Sequence, residues 1–289
     1  MSLLIVEGKA RPVGTVTVAR VLPSMRRRAV GPFVFVDHMG PLLLEPGVGF
    51  DVRPHPHIGL STVTYFYEGE NVHRDSLGSV RTNVPGDVNL MTAGRGVVHS
   101  ERADPGFRAR GGRMHGVQIW LGLPLAHEDD EPSFEHHPAA TLPRIEGDKL
   151  RGRVLLGDAF GARSPIVHPS RPVLVDLELD GGAAITIPHE AERGVLVIEG
   201  SIAIGDDVLE PDHLAVIDAD ARVEAHGPAR VLVLGGPRLD GERHLEWNFV
   251  SSSKDKLAAA RERWKAREFP TIPGDDVEWI PYPSAEVHS

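Results

Sequence analysis

Glycine and proline recur so often along this chain that little room is left between them for long regular elements. The 289 residues hold 31 glycines and 24 prolines, spread from one end to the other. Glycine supplies the backbone freedom of tight turns, and proline lacks a ladder donor and disrupts helix interiors. The runs between them are short: "GTVTVARVL" (14–22), "STVTYFYEG" (61–69), "GDVNLMTAG" (86–94) and "HGVQIWLGL" (115–123). β-Branched and aromatic residues, alternation and turn residues at this spacing predict an all-β sandwich or barrel. Helical periodicity is convincing once, in "SKDKLAAARERWKAREF" (253–269). There Leu257, Ala260 and Trp264 share a face, Ser253 can cap the start, and Pro270 stops the segment. A helix at about 253–268 is predicted.

The strands repeat. "VTYFYEG" (63–69) precedes "PGDVNLMTAG" (85–94), and "GVLVIEG" (194–200) precedes "LEPDHLAVIDAD" (209–220). Each half reads as strand, Glu-Gly turn, strand, acidic turn, strand, which predicts two copies of one β-module. The polar, proline-containing stretch 127–144 is the expected seam. It gives an N-terminal domain at 1–135 and a C-terminal domain at 136–289.

Composition excludes several functions. The net charge is −10, and the one dense basic run is Arg26-Arg27-Arg28. Charge-driven binding of nucleic acid is disfavoured, and that run reads as a solvated loop. The chain has no cysteine, so a disulfide, a thiolate metal site or a cysteine nucleophile is ruled out. The start, "MSLLIVEGKARPVG", lacks the pattern of a secretory leader, and no stretch has the apolar length of a membrane span. A cytoplasmic monomer is expected.

Chemistry concentrates in two short motifs. In "DVRPHPHIG" (51–59), Pro56 pushes His55 toward extended geometry, so His55 and His57 share one face. In "MTAGRGVVHSE" (91–101), His99 and Glu101 share a face by the same period of two. Either pair alone is as ordinary as a satisfied core histidine. Together, on adjacent strands, they converge into three imidazoles and one carboxylate. That set suits one divalent transition ion, Fe, Ni, Mn, Co or Cu, with positions left open for substrate or O₂.

At these residues the sequence resembles the pirin family, two-domain members of the cupin superfamily. "HPHIGLSTVTYFYEGENVHRDSLGS", "PGDVNLMTAGRGVVHSE" and "MHGVQIWLGLP" carry the likeness. The resemblance implies two cupin barrels packed face to face and a short C-terminal helix. It also implies one metal, most often Fe(II), held by His55, His57, His99 and Glu101 in the first barrel. The implied activity is quercetin 2,3-dioxygenation, with a flavonol-like aromatic substrate and O₂, and with Glu101 as the catalytic base. The alternative is a metal- or redox-dependent regulator that binds partner proteins.

Further residues are weighed beside the ligands. His73 and Asp75, in "HRDS", are expected in a turn, where they either line the pocket mouth and support a ligand histidine or simply close the loop. Met91 and Gln118 are expected on strands near the site. His136 and His137, in the seam, are expected to face solvent. Two stretches depart from the family pattern: Asn89-Leu90 stands where Gln-Trp is usual, and "EWNFVSSS" (246–253) replaces a Gly-Pro-Phe-Val-Met-Asn-like stretch. The second barrel is expected to lack a metal. Aligned on the two Glu-Gly turns, it sets Thr186 and Pro188 against His55 and His57, with His189 and His226 out of register.

Overall fold

The short runs between glycines fold as strands. The computed structural model describes residues 3–217 and 221–283. The chain forms two units, each assembled from separated pieces. One comprises Pro12–Thr17, Met39–His136 and the chain from Asp240 onward. The other comprises the chain up to Arg11, Val18–His38 and His137–Leu239. The C-terminal helix thus belongs to the unit that carries the two motifs.

The motif-bearing unit is built from β1 (Val52–His57), β2 (Leu60–Glu68), β3 (Asn71–Asp75), β4 (Val80–Asn83), β5 (Val88–Thr92), β6 (Val97–Ala103), β7 (Gly112–Gly122) and β8 (Ser133–His137). They form a four-stranded sheet, ordered β1-β6-β3-β4, and the run β8-β5-β2-β7 of a seven-stranded sheet. The second unit supplies β9 (Val173–Leu179), β10 (Ala184–Thr186), β11 (Glu192–Glu199), β12 (Ile202–Ile204), β13 (Asp207–Leu209), β14 (His213–Val216), β15 (Arg222–Ala225) and β16 (Ala229–Gly236). It has a four-stranded sheet, β10-β15-β12-β13, and the run β14-β11-β16-β9 within a seven-stranded sheet. The strand order 1-6-3-4 recurs as 10-15-12-13, and 5-2-7 recurs as 14-11-16. The repeat expected from the Glu-Gly turns is therefore real, and each copy has the two-sheet layout of a jelly-roll barrel.

The two interiors differ. The second barrel is filled with apolar side chains, among them Val175, Ile185, Val195, Ala215, Val223 and Val233. Thr186 is exposed and Pro188 half-buried, whereas Ile185 and Ile187 are buried in that core. The residues that face inward are thus Ile185 and Ile187, one position from those expected. Counting back from the Glu-Gly turn fails because residues 187–191 separate β10 from β11, a longer link than 58–59 between β1 and β2. His189 and His226 are exposed. Arg27 pairs with Glu192 at 2.6 Å, and Arg26 donates to the Ile5 carbonyl at 2.7 Å. These two arginines of the basic run therefore serve the second unit's own surface.

Strand β1 is the edge of its sheet, where a strand tolerates proline. Pro54 turns its carbonyl away from β6 and accepts the Ile280 N–H at 2.8 Å. The prolines therefore occupy positions that owe the ladder nothing. In the turn before β6, Gly94 adopts φ +48°, and a Cβ there would stand 1.9 Å from the Asp130 carbonyl oxygen. Only glycine fits this position, which aims the following strand.

Behind β6 lies the C-terminal segment. The helix runs Lys254–Lys265, capped by Ser253, and buries Leu257, Ala260 and Trp264. It ends short of the expected 268, because Arg267 adopts φ +62° and its N–H closes onto the Trp264 carbonyl. Val98 packs into this helix's cluster with Phe249, Phe269 and Ile272. The next outward residues of β6 are polar and bolted down. Ser100 Oγ donates to Asp275 at 2.7 Å, and Arg102 makes two bonds to the same carboxylate at 2.7 and 2.8 Å.

Burial pushes the Asp275 carboxyl up, but Arg102 and Ser100 outweigh it and hold the group below its usual range. A carboxyl whose folded pKa is depressed adds stability above its unfolded pKa of about 3.9 and loses it as pH falls through the folded value. Asp275→Asn should therefore cost about 1 to 2 kcal/mol at pH 7. Urea melts across pH 7 to 3 should show the gap to wild type closing as the pH drops below about 4; a constant gap would refute the clamp.

Candidate metal centre

Three adjacent strands bring their inward residues to one place. In register, His55 lies opposite His99, and His99 opposite Asp75. Glu101 lies opposite His73 on β3. Directly paired residues share a face, so one sheet face carries three i, i+2 pairs: His55/His57, His99/Glu101 and His73/Asp75. The third pair corrects the expectation of a turn, since His73 and Asp75 are the third and fifth residues of strand β3.

The imidazoles are buried and aimed. One ring nitrogen each of His55, His57 and His99 lies within 4.8 Å of the other two. His55 Nδ1 meets the Arg53 carbonyl at 2.8 Å, beside an irregularity in the β1–β6 register. His57 Nδ1 meets the Asn248 carbonyl at 2.9 Å. A ring that donates through Nδ1 keeps its Nε2 lone pair for a ligand. His57 Nε2 and His99 Nε2 stand 3.0 Å apart. Adjacent ligands of an octahedral ion with bonds of about 2.1 Å would be separated by about 3 Å.

Electrostatics favour the same use. Burial holds His55 down to about 4, and His57 and His99 well below their ordinary range, with neighbouring imidazoles adding to the effect. All three rings are therefore neutral at pH 7, as metal ligation requires. Burial pushes Glu101 up to about 8. Its Oε1 lies 3.6 Å from His99 Nδ1, and its buried Oε2 has no hydrogen-bond partner. A carboxyl raised this far is neutral at pH 7 and ionises only beside a cation. The three imidazoles fit a divalent transition ion and could hold it; Glu101 lies beside His99 but outside the group whose ligand atoms all come within 4.8 Å of one another.

His99 differs from the other two rings in its support. Among the described residues no backbone carbonyl takes its Nδ1; His73 Nδ1 faces it at 3.5 Å. His73 Nε2 in turn bonds Asp75 Oδ2 at 2.9 Å, and Asp75 Oδ1 accepts the N–H groups of Leu77 and Ser79, both at 2.9 Å. Asp75 therefore both closes the following loop and holds His73. Phe134 stacks on the His73 ring at 4.3 Å.

The opposite sheet covers the imidazoles. Trp120 meets His57 edge-on at 5.0 Å. Trp120, Thr62 and Met91 lie in one row across β7, β2 and β5, and Gln118, Thr64 and Asn89 form the row two residues away. Strand parity thus turns Met91 and Gln118 to the face that meets His57. Met91 also packs with Phe134.

Sequence reading missed several contributors. Trp120 stands in "HGVQIWLGL", where strand alternation alone gives it no special role. Phe134 and His136 sit in the expected seam, which folds as β8 at the barrel's edge. His136 does not face solvent: its side chain is 12% exposed, with Nδ1 2.6 Å from Asn89 Oδ1 and Nε2 3.4 Å from Asp87. Asn248, in the divergent "EWNFVSSS", holds His57 through its carbonyl. Buried Glu128 steadies that hairpin by pairing with Arg243 at 2.9 Å and accepting from Ser252 N–H at 2.8 Å.

Comparison with known proteins agrees with this geometry. The pirin family profile matches residues 15–121, and the pirin C-terminal cupin domain matches residues 174–270. The chain belongs to the pirin family. It is 43% identical to a pirin-like protein of Caulobacter vibrioides, over 97% of this chain and 99% of that one. It is 33% identical to human pirin, over 76% of this chain and 77% of that one. A crystal structure of quercetin 2,3-dioxygenase from Acinetobacter baumannii superposes with a TM-score of 0.91 at 35% identity, covering 98% of this chain and 95% of that one. Both barrels are accordingly cupin domains, and the His-rich one is the first.

Outer partners of metal-bound histidines commonly govern affinity by 10- to 100-fold. His73→Phe keeps the stack on Phe134 and removes both ring nitrogens. Competition with a chelator should show metal affinity falling about 10-fold or more; unchanged affinity would mean that His73 merely packs.

Proposed function

We propose that this pirin is a metal-dependent dioxygenase that opens the heterocycle of a flavonol such as quercetin. The observation that carries the reading is Glu101 Oε2, a buried oxygen without a partner beside three neutral imidazoles. The likeness to a relative described as a quercetin 2,3-dioxygenase supports the substrate class. A bound transition ion, Fe(II) being the first candidate, would supply Lewis acidity and access to O₂.

The chain's own residues do the rest. His55, His57 and His99, each backed through its outer nitrogen, set the orientation of the site. Glu101 is the one carboxylate among the four and, swung clear of the ion, would serve as the base that takes the flavonol's 3-hydroxyl proton. Trp120, Thr62 and Met91 wall the space over the site, and their burial keeps water from competing.

A second reading rests on the second barrel, whose interior, among the described residues, is apolar where the first barrel carries His55 and His99. There the metal state of the first barrel would govern binding of a partner protein, with no turnover.

The deciding experiment loads the purified protein anaerobically with Fe, Ni, Co, Mn or Cu and follows quercetin absorbance after air is admitted. Loss of quercetin with at least one metal is expected. Its persistence with all five would sink the dioxygenase reading and leave the regulatory one. His99→Ala should lose stoichiometric metal by elemental analysis, and full retention would refute the ligand set.

A further inference from the structure

The first barrel keeps a second polar feature beyond the ligand set. On the sheet facing the imidazoles, Gln118, Thr64 and Asn89 stand side by side. Thr64 Oγ1 donates to Gln118 Oε1 at 2.9 Å. Asn89 is 3% exposed; one end of its amide bonds His136, and the other, Nδ2, is buried without a partner. Turning the amide over exchanges the atoms and leaves one end unsatisfied all the same.

The second barrel shows what this row costs. Thr64 and Val195 stand equally far from their Glu-Gly turns. Val195 pairs with Ala215 and Val233, as Thr64 pairs with Asn89 and Gln118. The same three positions are thus apolar in one copy and polar in the other. A buried amide end left unmade costs about 1 to 3 kcal/mol, which the valine-and-alanine row of the second barrel avoids.

From this row we infer that Asn89 is a specificity-determining residue, whose unpartnered amide end hydrogen-bonds a hydroxyl on the part of the substrate distal to the metal. The row lies two strand residues from Trp120, about 7 Å along the sheet, and Trp120 touches His57. A ligand held at the imidazoles by one end reaches the row with the other. A hydroxyl both donates and accepts, so it satisfies either orientation of the amide. This inference rests on the flavonol reading and narrows it to flavonols hydroxylated away from the chelating 3-hydroxy-4-keto unit. A site built around such a bond rejects the analogue lacking the hydroxyl, because its own polar group is then stranded.

The test compares quercetin with 3-hydroxyflavone, which has the chelating unit and no other hydroxyl. Both are titrated under nitrogen into Co(II)-loaded wild type and Asn89→Leu, following the flavonol absorbance shift. Wild type should bind quercetin about 10-fold more tightly than 3-hydroxyflavone. Asn89→Leu should bring the two within about 2-fold by weakening quercetin alone, with the Co(II) spectrum unchanged. Equal affinities in wild type, a comparison that needs no variant, would overturn the inference while leaving the flavonol reading intact. A preference that survives in Asn89→Leu would overturn it as well. Binding of neither compound would overturn the flavonol reading and this inference together.

Discussion

Each imidazole at the centre points one nitrogen inward only because something holds the other outward. That requirement organises the first barrel. A buried histidine ring can rotate and change tautomer unless its far nitrogen is engaged. Two of the three rings use backbone carbonyls, Arg53 on β1 and Asn248 on a hairpin far along the chain. The third leans on His73 and, behind it, Asp75. The outward face of β6 needs the same discipline, and Val98, Ser100 and Arg102 supply it against the C-terminal segment.

The two barrels show how one topology can serve opposite ends. Both have the same strand order in both sheets. Where the second carries Ile185 facing Val223, the first carries His55 facing His99. Where the second stacks valines and alanine, the first stacks Gln118, Thr64 and Asn89. An apolar interior stabilises a barrel by burial alone. A polar one gives up part of that stabilisation, and the fully packed copy beside it in the sequence shows that the fold itself does not demand the sacrifice.

Much of the site was legible in the sequence because its rules are local. The period of two put His55 with His57 and His99 with Glu101, and the prolines pointed to an extended edge strand. His73 and Asp75 were misplaced because "HRDS" consists of residues that also make turns. Pairing with β6 overrides that local preference and draws the first three into or up to the strand end. Phe134 and His136 were hidden by their setting, a polar stretch that resembles a linker until it adds to a sheet edge. Nothing local marks Asn248, since a carbonyl oxygen has no residue type. The inward positions of β10 were off by one because residue counting assumes equal loop lengths.

The contribution of the last stretch of chain sets an order of events during synthesis. The three imidazoles and Glu101 lie between positions 55 and 101, and they leave the ribosome early. Asn248, which steadies His57, and Asp275, which braces β6, are translated only after the entire second barrel. A nascent chain therefore displays its histidines long before they are braced. A message truncated in its final sixth would yield a chain that keeps His55, His57, His99 and Glu101 but loses the carbonyl behind His57 and the brace behind β6.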